Sequence, residues 1–143
     1  MNTIILFSIY ILFIIISGAS EAVMDKIQFH YNKSIFLQFK KQLFWDPSMS
    51  WKNKYKNGDP KQGCKFIFST TYFVFATDAW HLFKFLKNTF MFASIGMAMY
   101  AQTCALKDFD LSKILTILLF VILGRAFYGL SFNLCFDKIL KSD

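Results

Sequence analysis

Charge is scarce in this chain. Of its 143 residues only 17% are Asp, Glu, Lys or Arg, where soluble domains run near a quarter. Proline and glycine are few as well, at 2 and 6, while Phe alone numbers 19. A disordered chain lacks such aromatics and is excluded. The three cysteines, Cys64, Cys104 and Cys135, cannot all pair and lie far apart, which excludes a disulfide scaffold. There is no HExxH, no GxSxG and no glycine-rich nucleotide fingerprint, so the common zinc-protease, hydrolase and dinucleotide signatures are missing.

What is present is apolar. Hydrophobic residues make up 55% and aromatics 20%. Three stretches have the roughly 20-residue length of a membrane span. Residues 2–20 hold no charge, residues 88–106 hold none, and 114–136 are interrupted once, by Arg125. Ser17-Gly18-Ala19 is a tolerable signal-peptidase site, but positive charge follows the apolar run, at Lys26, instead of preceding it. A signal peptide has the opposite order, so a retained span is the reading taken.

The charge that exists is basic, +7 in sum. Between Glu21 and Lys87 stand eleven lysines against five acids, while Lys107, Asp108, Asp110 and Lys113 balance to zero. Lysine excess marks the cytoplasmic side. The expectation is an all-α membrane protein of three transmembrane helices, N-terminus out and C-terminus in, forming one membrane domain over 1–143. Its parts are a first span at 2–20, an amphipathic helix at 21–45, a basic loop at 46–68, a long helix at 69–106 containing the second span, and a third span at 111–140.

Local signals support those parts. Met24, Ile27, Tyr31, Ile35 and Phe39 recur at three or four residues, a helical stripe. Asp46-Pro47 ends it, because the residue before proline leaves the α region. Asn57-Gly58 and Asp59-Pro60 mark turns. Ser69-Thr70-Thr71 supplies capping hydroxyls for the next helix, and Asp110 and Ser112 for the last.

Levelling the three helices by equal rise puts Asp25, His30, Asp78, His81 and Asp137 in one slab just inside the cytoplasmic face. Asp78 and His81 are three residues apart and share a helix face. A carboxylate there can fix the imidazole for proton transfer, or the two can hold a divalent metal with His30 as a further ligand. Asp25 and His30 are five apart and point away from each other on a regular helix. The plainer alternative is that Asp78 and His81 make polar contacts between helices.

Arg125 lies within nominal hydrocarbon, where an ionisable group is a functional hypothesis. It would bind an anionic group, snorkel inward, or pair with Glu21. Gly124, Gly129 and Ser131 give its helix a small-residue edge for close packing. Lys61 and Lys65 precede Ser69-Thr70-Thr71, where a helix start favours phosphate. Trp51-Lys52-Asn53-Lys54-Tyr55-Lys56 interleaves aromatics with lysines, which suits anionic inner-leaflet headgroups. No nucleic-acid partner is expected.

The segments AVMDKIQFHY, WDPSMSWKNK and TDAWHLFK resemble those of a family of small integral-membrane proteins of bacteria and their phages. That resemblance covers about residues 19–87 and assigns no activity; the spans and the lysine-rich side are read as a multi-pass protein of the bacterial inner membrane. Two functions stay open on the sequence. One is a structural or accessory subunit, docking on copies of itself or on a larger membrane complex. The other is an interfacial enzyme or carrier for lipid headgroups or phosphate, with Asp78 and His81 as its chemistry and Arg125, Lys61 and Lys65 as its anion-binding groups.

Overall fold

The computed structural model describes residues 3–105 and 111–141, with side chains described over 4–100 and 114–141. The turn around Lys107, Asp108 and Asp110, and the side chains of Cys104, Ser112 and Lys113, lie outside the described residues. Everything regular is helical. Among the described residues the only β pairing is two isolated bridges, Ser34 with Lys141 and Tyr55 with Cys64.

An aliphatic run without proline sustains α1 over Thr3–Phe29. A short α2 follows at Gln42–Trp45, then α3 over Ala79–Ala105 and α4 over Leu111–Leu134. Ile4–Phe29 and Ile114–Ile139 are long and apolar enough to cross a membrane. α3 is equally long, but Asn88, Ser94 and Gln102 dilute its apolar stretch.

α1 is the middle helix. It packs along α3 on one side and α4 on the other, while α3 and α4 scarcely meet. Its partners are set by small and polar residues. A Cβ on Gly18 would come within 2.5 Å of the Tyr128 carbonyl oxygen and 2.2 Å of Ser131 Oγ, so α1 and α4 cross in close contact there. Gly124 admits the Tyr10 ring, whose hydroxyl donates to the Phe120 carbonyl at 2.7 Å. Gly129 faces open space, so the expected small-residue edge is used at Gly124 and Ser131 only. Ser17 Oγ donates to the Lys87 carbonyl at 3.0 Å and ties α1 to α3.

Residues 21–45 do not form the single amphipathic helix that their spacing predicts. α1 stops at Phe29, and two 3₁₀ turns occupy Tyr31–Lys33 and Ile35–Gln38. Ser34 is extended and buried, its Oγ donating to the Tyr31 carbonyl at 2.7 Å. The next amide, Ile35 N–H, donates to the Leu140 carbonyl at 3.3 Å. Asn32 and Ser34 are weak helix formers that favour such local bonds. The apolar stripe is gathered instead into a knot, with Phe36 stacked on Trp45 at 4.7 Å and Phe39 and Phe44 edge-on to Trp45.

The long helix also starts later than expected. Residues 69–76 form turns, and α3 begins at Ala79. Phe68 sits at φ 58°, a conformation a bulky residue rarely adopts and no helix contains. Ser69 is fully buried and spends its hydroxyl on the Lys54 carbonyl at 2.7 Å.

The core lies at the end of the bundle where α1 stops and α3 begins, with Ala22, Val23, Ile27, Tyr31, Phe36, Ala79 and Leu140 clustered there. Ile27 is 1% exposed, and burying such a side chain contributes about 2 kcal/mol. α4 opens into a π-turn at Cys135–Ile139, closed by Leu140 N–H donating to the Cys135 carbonyl at 2.9 Å. That extra residue per turn brings Leu140 into the core. It also stacks Phe136 on Phe132 and sets Phe136 under the buried Lys26, whose Nζ is 3.9 Å from the ring centroid.

Candidate functional site

Asp78 is the residue immediately before α3, and its carboxylate does the work of a helix cap. Oδ1 accepts the backbone N–H of His81 at 2.9 Å, satisfying a donor that the first turn leaves free. The same carboxylate holds the His81 ring, with Nδ1 at 2.9 Å from Oδ1 and 2.8 Å from Oδ2. In the neutral ring, Nδ1 facing a carboxylate carries the hydrogen, and Nε2 is then the acceptor. Asp78 is buried at 4% exposure, while the His81 side chain is 38% exposed.

The surroundings hold Asp78 in place. Thr77 is fully buried, donates to the Val74 carbonyl at 2.7 Å and approaches Asp78 Oδ2 at 3.3 Å. Asn53 Nδ2 donates to the Thr77 carbonyl, so the basic loop braces the residue next to the cap. Trp80 Nε1 donates to Gln28 Oε1 at 3.0 Å and locks the start of α3 to the end of α1.

His81 and Asp78 face a cavity of about 330 Å³ between α1, the loop and α3. Ser50, Trp51 and Lys54 come to it from the loop, and Ile27 and Gln28 from α1. Ser50 shares the cavity, but among the described residues no hydrogen bond joins its hydroxyl to His81. The arrangement offers one oriented imidazole, one carboxylate and one lysine, enough for proton transfer to or from an anionic molecule.

Other candidate residues are placed differently. His30 lies beyond α1 with its ring edge-on to Phe136 at 5.4 Å, away from the Asp78–His81 cavity. The expected metal set of Asp78, His81 and His30 is therefore not assembled, and among the described residues no three His, Cys, Asp or Glu side chains stand close enough to share an ion. Asp137 is exposed on the π-turn. The phosphate site expected at Lys61, Lys65 and Ser69-Thr70-Thr71 loses its helix start, because α3 begins ten residues later. Lys61 sits in a tight turn capped by Asp59, whose Oδ1 accepts the Lys61 N–H at 2.9 Å. Lys65 Nζ donates to Asn53 Oδ1 at 2.6 Å, beside an open cleft that it shares with Lys40 and Lys41.

Glu21 joins all three long helices. Its Oε2 pairs with Lys87 Nζ of α3 and accepts the Tyr128 hydroxyl of α4 at 2.9 Å. The pairing of Glu21 with Arg125, open on the sequence, is not formed. Arg125 is exposed on α4 and makes no hydrogen bond or ion pair among the described residues. An acid at the end of one apolar run, with a lysine at the start of another, was the available signal for Glu21–Lys87.

The loop carries a second surface. Phe66, Ile67, Phe68, Tyr72 and Phe73 are exposed together, and Phe75 stacks on Phe85 of α3 at 4.4 Å. Comparison with protein-family models, curated proteins and solved structures finds no match to this chain.

Proposed function

We propose that this chain is a three-span protein of a bacterial inner membrane, serving as a structural or accessory subunit, with its N-terminus outside and residues 30–78 capping the bundle on the cytoplasmic side. The open bundle carries this reading: α1 packs against both long helices while α3 and α4 barely touch. α4 is left with an almost wholly uncovered apolar face, including Leu115, Leu118, Leu119, Val121 and Ile122. Such a face can take up neighbouring helices within the bilayer, which supports the subunit reading.

The aromatic loop supports the placement. Phe75 on Phe85 brings the exposed Phe66–Phe73 surface to the level of the first turns of α3, which carry Lys84 and Lys87. Aromatic rings and lysines at one level suit the headgroup zone of the inner leaflet. Lys40, Lys41 and Lys65 add a basic face on the same side.

Chemical cross-linking in native membranes, followed by native mass spectrometry in mild detergent, tests the subunit role. The expected result is a homo-oligomer or a complex with a second membrane protein. A monodisperse monomer under both conditions overturns it.

A second reading, an interfacial enzyme or carrier for phosphate-bearing headgroups, is favoured by one observation: Asp78 fixes His81 with Nε2 free beside a cavity containing Lys54. It requires His81→Ala to abolish function at unchanged expression and assembly. Elemental analysis of wild type beside His81→Ala then separates a divalent-metal site from plain acid–base chemistry.

A further inference from the structure

We infer that the gap between α3 and α4 is a binding site for one anionic phospholipid, its phosphate on Arg125 and its acyl chain along α1. The gap encloses about 450 Å³. It differs from the Asp78–His81 cavity and the lysine cleft in its aliphatic wall and its lack of tryptophan. Ile14, Met91, Ile95 and Val121 form the wall, and Arg125 and Lys87 are its cations, with no acid among the lining residues.

Accounting for each polar group leaves one charge over. The Tyr10 hydroxyl is spent on the Phe120 carbonyl, and Tyr128 on Glu21. Lys87 is neutralised by Glu21. Asp25 lies one turn further in along α1 and does not line the gap. Arg125 alone has no partner among the described residues. A guanidinium presents a planar fork of donors that matches a phosphate, so an unmatched Arg beside an apolar wall points to a phosphate ester.

Depth decides between a lipid and a soluble phosphate. Arg125 is three residues outward from Tyr128, about 4.5 Å at helical rise, so it sits just below the Glu21–Lys87–Tyr128 level. Ile95 lies two turns outward from Lys87, about 12 Å, and continues the apolar wall toward the bilayer centre. A free phosphate has no use for that wall, whereas an acyl chain does. A net negative headgroup is favoured because a zwitterionic lipid brings its own ammonium to compete for the phosphate.

This inference rests on the membrane-spanning reading, and alkaline carbonate extraction of membranes tests that reading first. Release of the chain into the supernatant sinks the span, whatever lipid it binds. For a chain that stays in the membrane, the probe is phosphatidylglycerol against phosphatidylcholine, presented to the full-length protein in mixed vesicles. Lipid retained through purification is counted by native mass spectrometry. The expected result is about one phosphatidylglycerol per chain, with affinity falling roughly tenfold or more in Arg125→Gln and less in Arg125→Lys. Lys138→Gln, on the exposed π-turn, leaves retention unchanged. Equal retention of the two lipids, or no effect of Arg125→Gln, overturns the site. Full competition by glycerol 3-phosphate would show a soluble phosphate ester as the ligand and overturn the lipid assignment. Lipid retention that appears only on dilution to monomer would place a second copy in the gap instead and overturn the lipid assignment.

Discussion

Both carboxylate oxygens of Asp78 lie within 2.9 Å of His81 Nδ1, and Oδ1 also accepts the His81 backbone N–H. One side chain thus starts α3 and orients the imidazole. The two duties separate by substitution. Asp78→Ala loses both, and the missing cap costs about 1 kcal/mol. Asp78→Ser keeps an oxygen for the N–H and recovers most of that stability, yet it frees the ring. Thermal melting in detergent reads the first effect. Nitrogen NMR of His81 reads the second, with the Nδ1–H tautomer dominant in wild type and mixed tautomers in Asp78→Ser.

The α1–α4 crossing tolerates nothing at Gly18. Even a methyl group meets the Tyr128 backbone carbonyl at 2.5 Å, and backbone cannot step aside. Gly18→Ala is expected to destabilise the protein by about 2 kcal/mol or more. Gly129→Ala, facing open space on α4, is neutral or slightly stabilising. Paired melting curves check both, and equal effects would contradict the packing described.

Glu21 binds Lys87 and Tyr128 together, so its removal loosens both outer helices. A double-mutant cycle with Glu21→Gln and Lys87→Met should give a coupling near 1 kcal/mol, reduced because both side chains keep some exposure to solvent. Zero coupling would mean that the pair is incidental.

Tyr31 gives the protein an alkaline limit. Burial foremost, then the charge of Asp46, raises its phenol above the ordinary value near 10, against a smaller opposing effect of its bond to Gln42. A raised folded value keeps the proton on in the native state, so Tyr31 stabilises fully below pH 10 and loses that contribution as pH climbs past it. Stability measured from pH 8 to 11 should fall less steeply in Tyr31→Phe than in wild type.

Part of the helix register is legible in the sequence. Equal-rise levelling puts Asp25, His30, Asp78 and His81 at one level, and the contacts Gln28–Trp80 and Glu21–Lys87 agree with it, while Ser17–Lys87 and Phe13–Phe90 lie about one turn off it. Periodicity cannot give azimuth across helices, which is why five polar residues at one level yielded a single touching pair. The breaks at 30–38 and 69–78 were hidden for a different reason. They depend on Ile35 N–H bonding to the Leu140 carbonyl and Ser69 bonding to Lys54, and long-range partners leave no local pattern. Asn57-Gly58 was legible because its chemistry is local, and both residues have positive φ, at 51° and 76°.

Sidedness is the claim on which the rest depends, and Cys64 reports it. This thiol is exposed in the basic loop. In a Cys104→Ser, Cys135→Ser background it is the only one, to be labelled with a membrane-impermeant maleimide. The loop placed in the cytoplasm predicts no labelling in intact spheroplasts and full labelling in inverted inner-membrane vesicles. Labelling from outside in the spheroplasts would contradict the topology, and with it the inner-leaflet placement of the lysine face and the Arg125 lipid site.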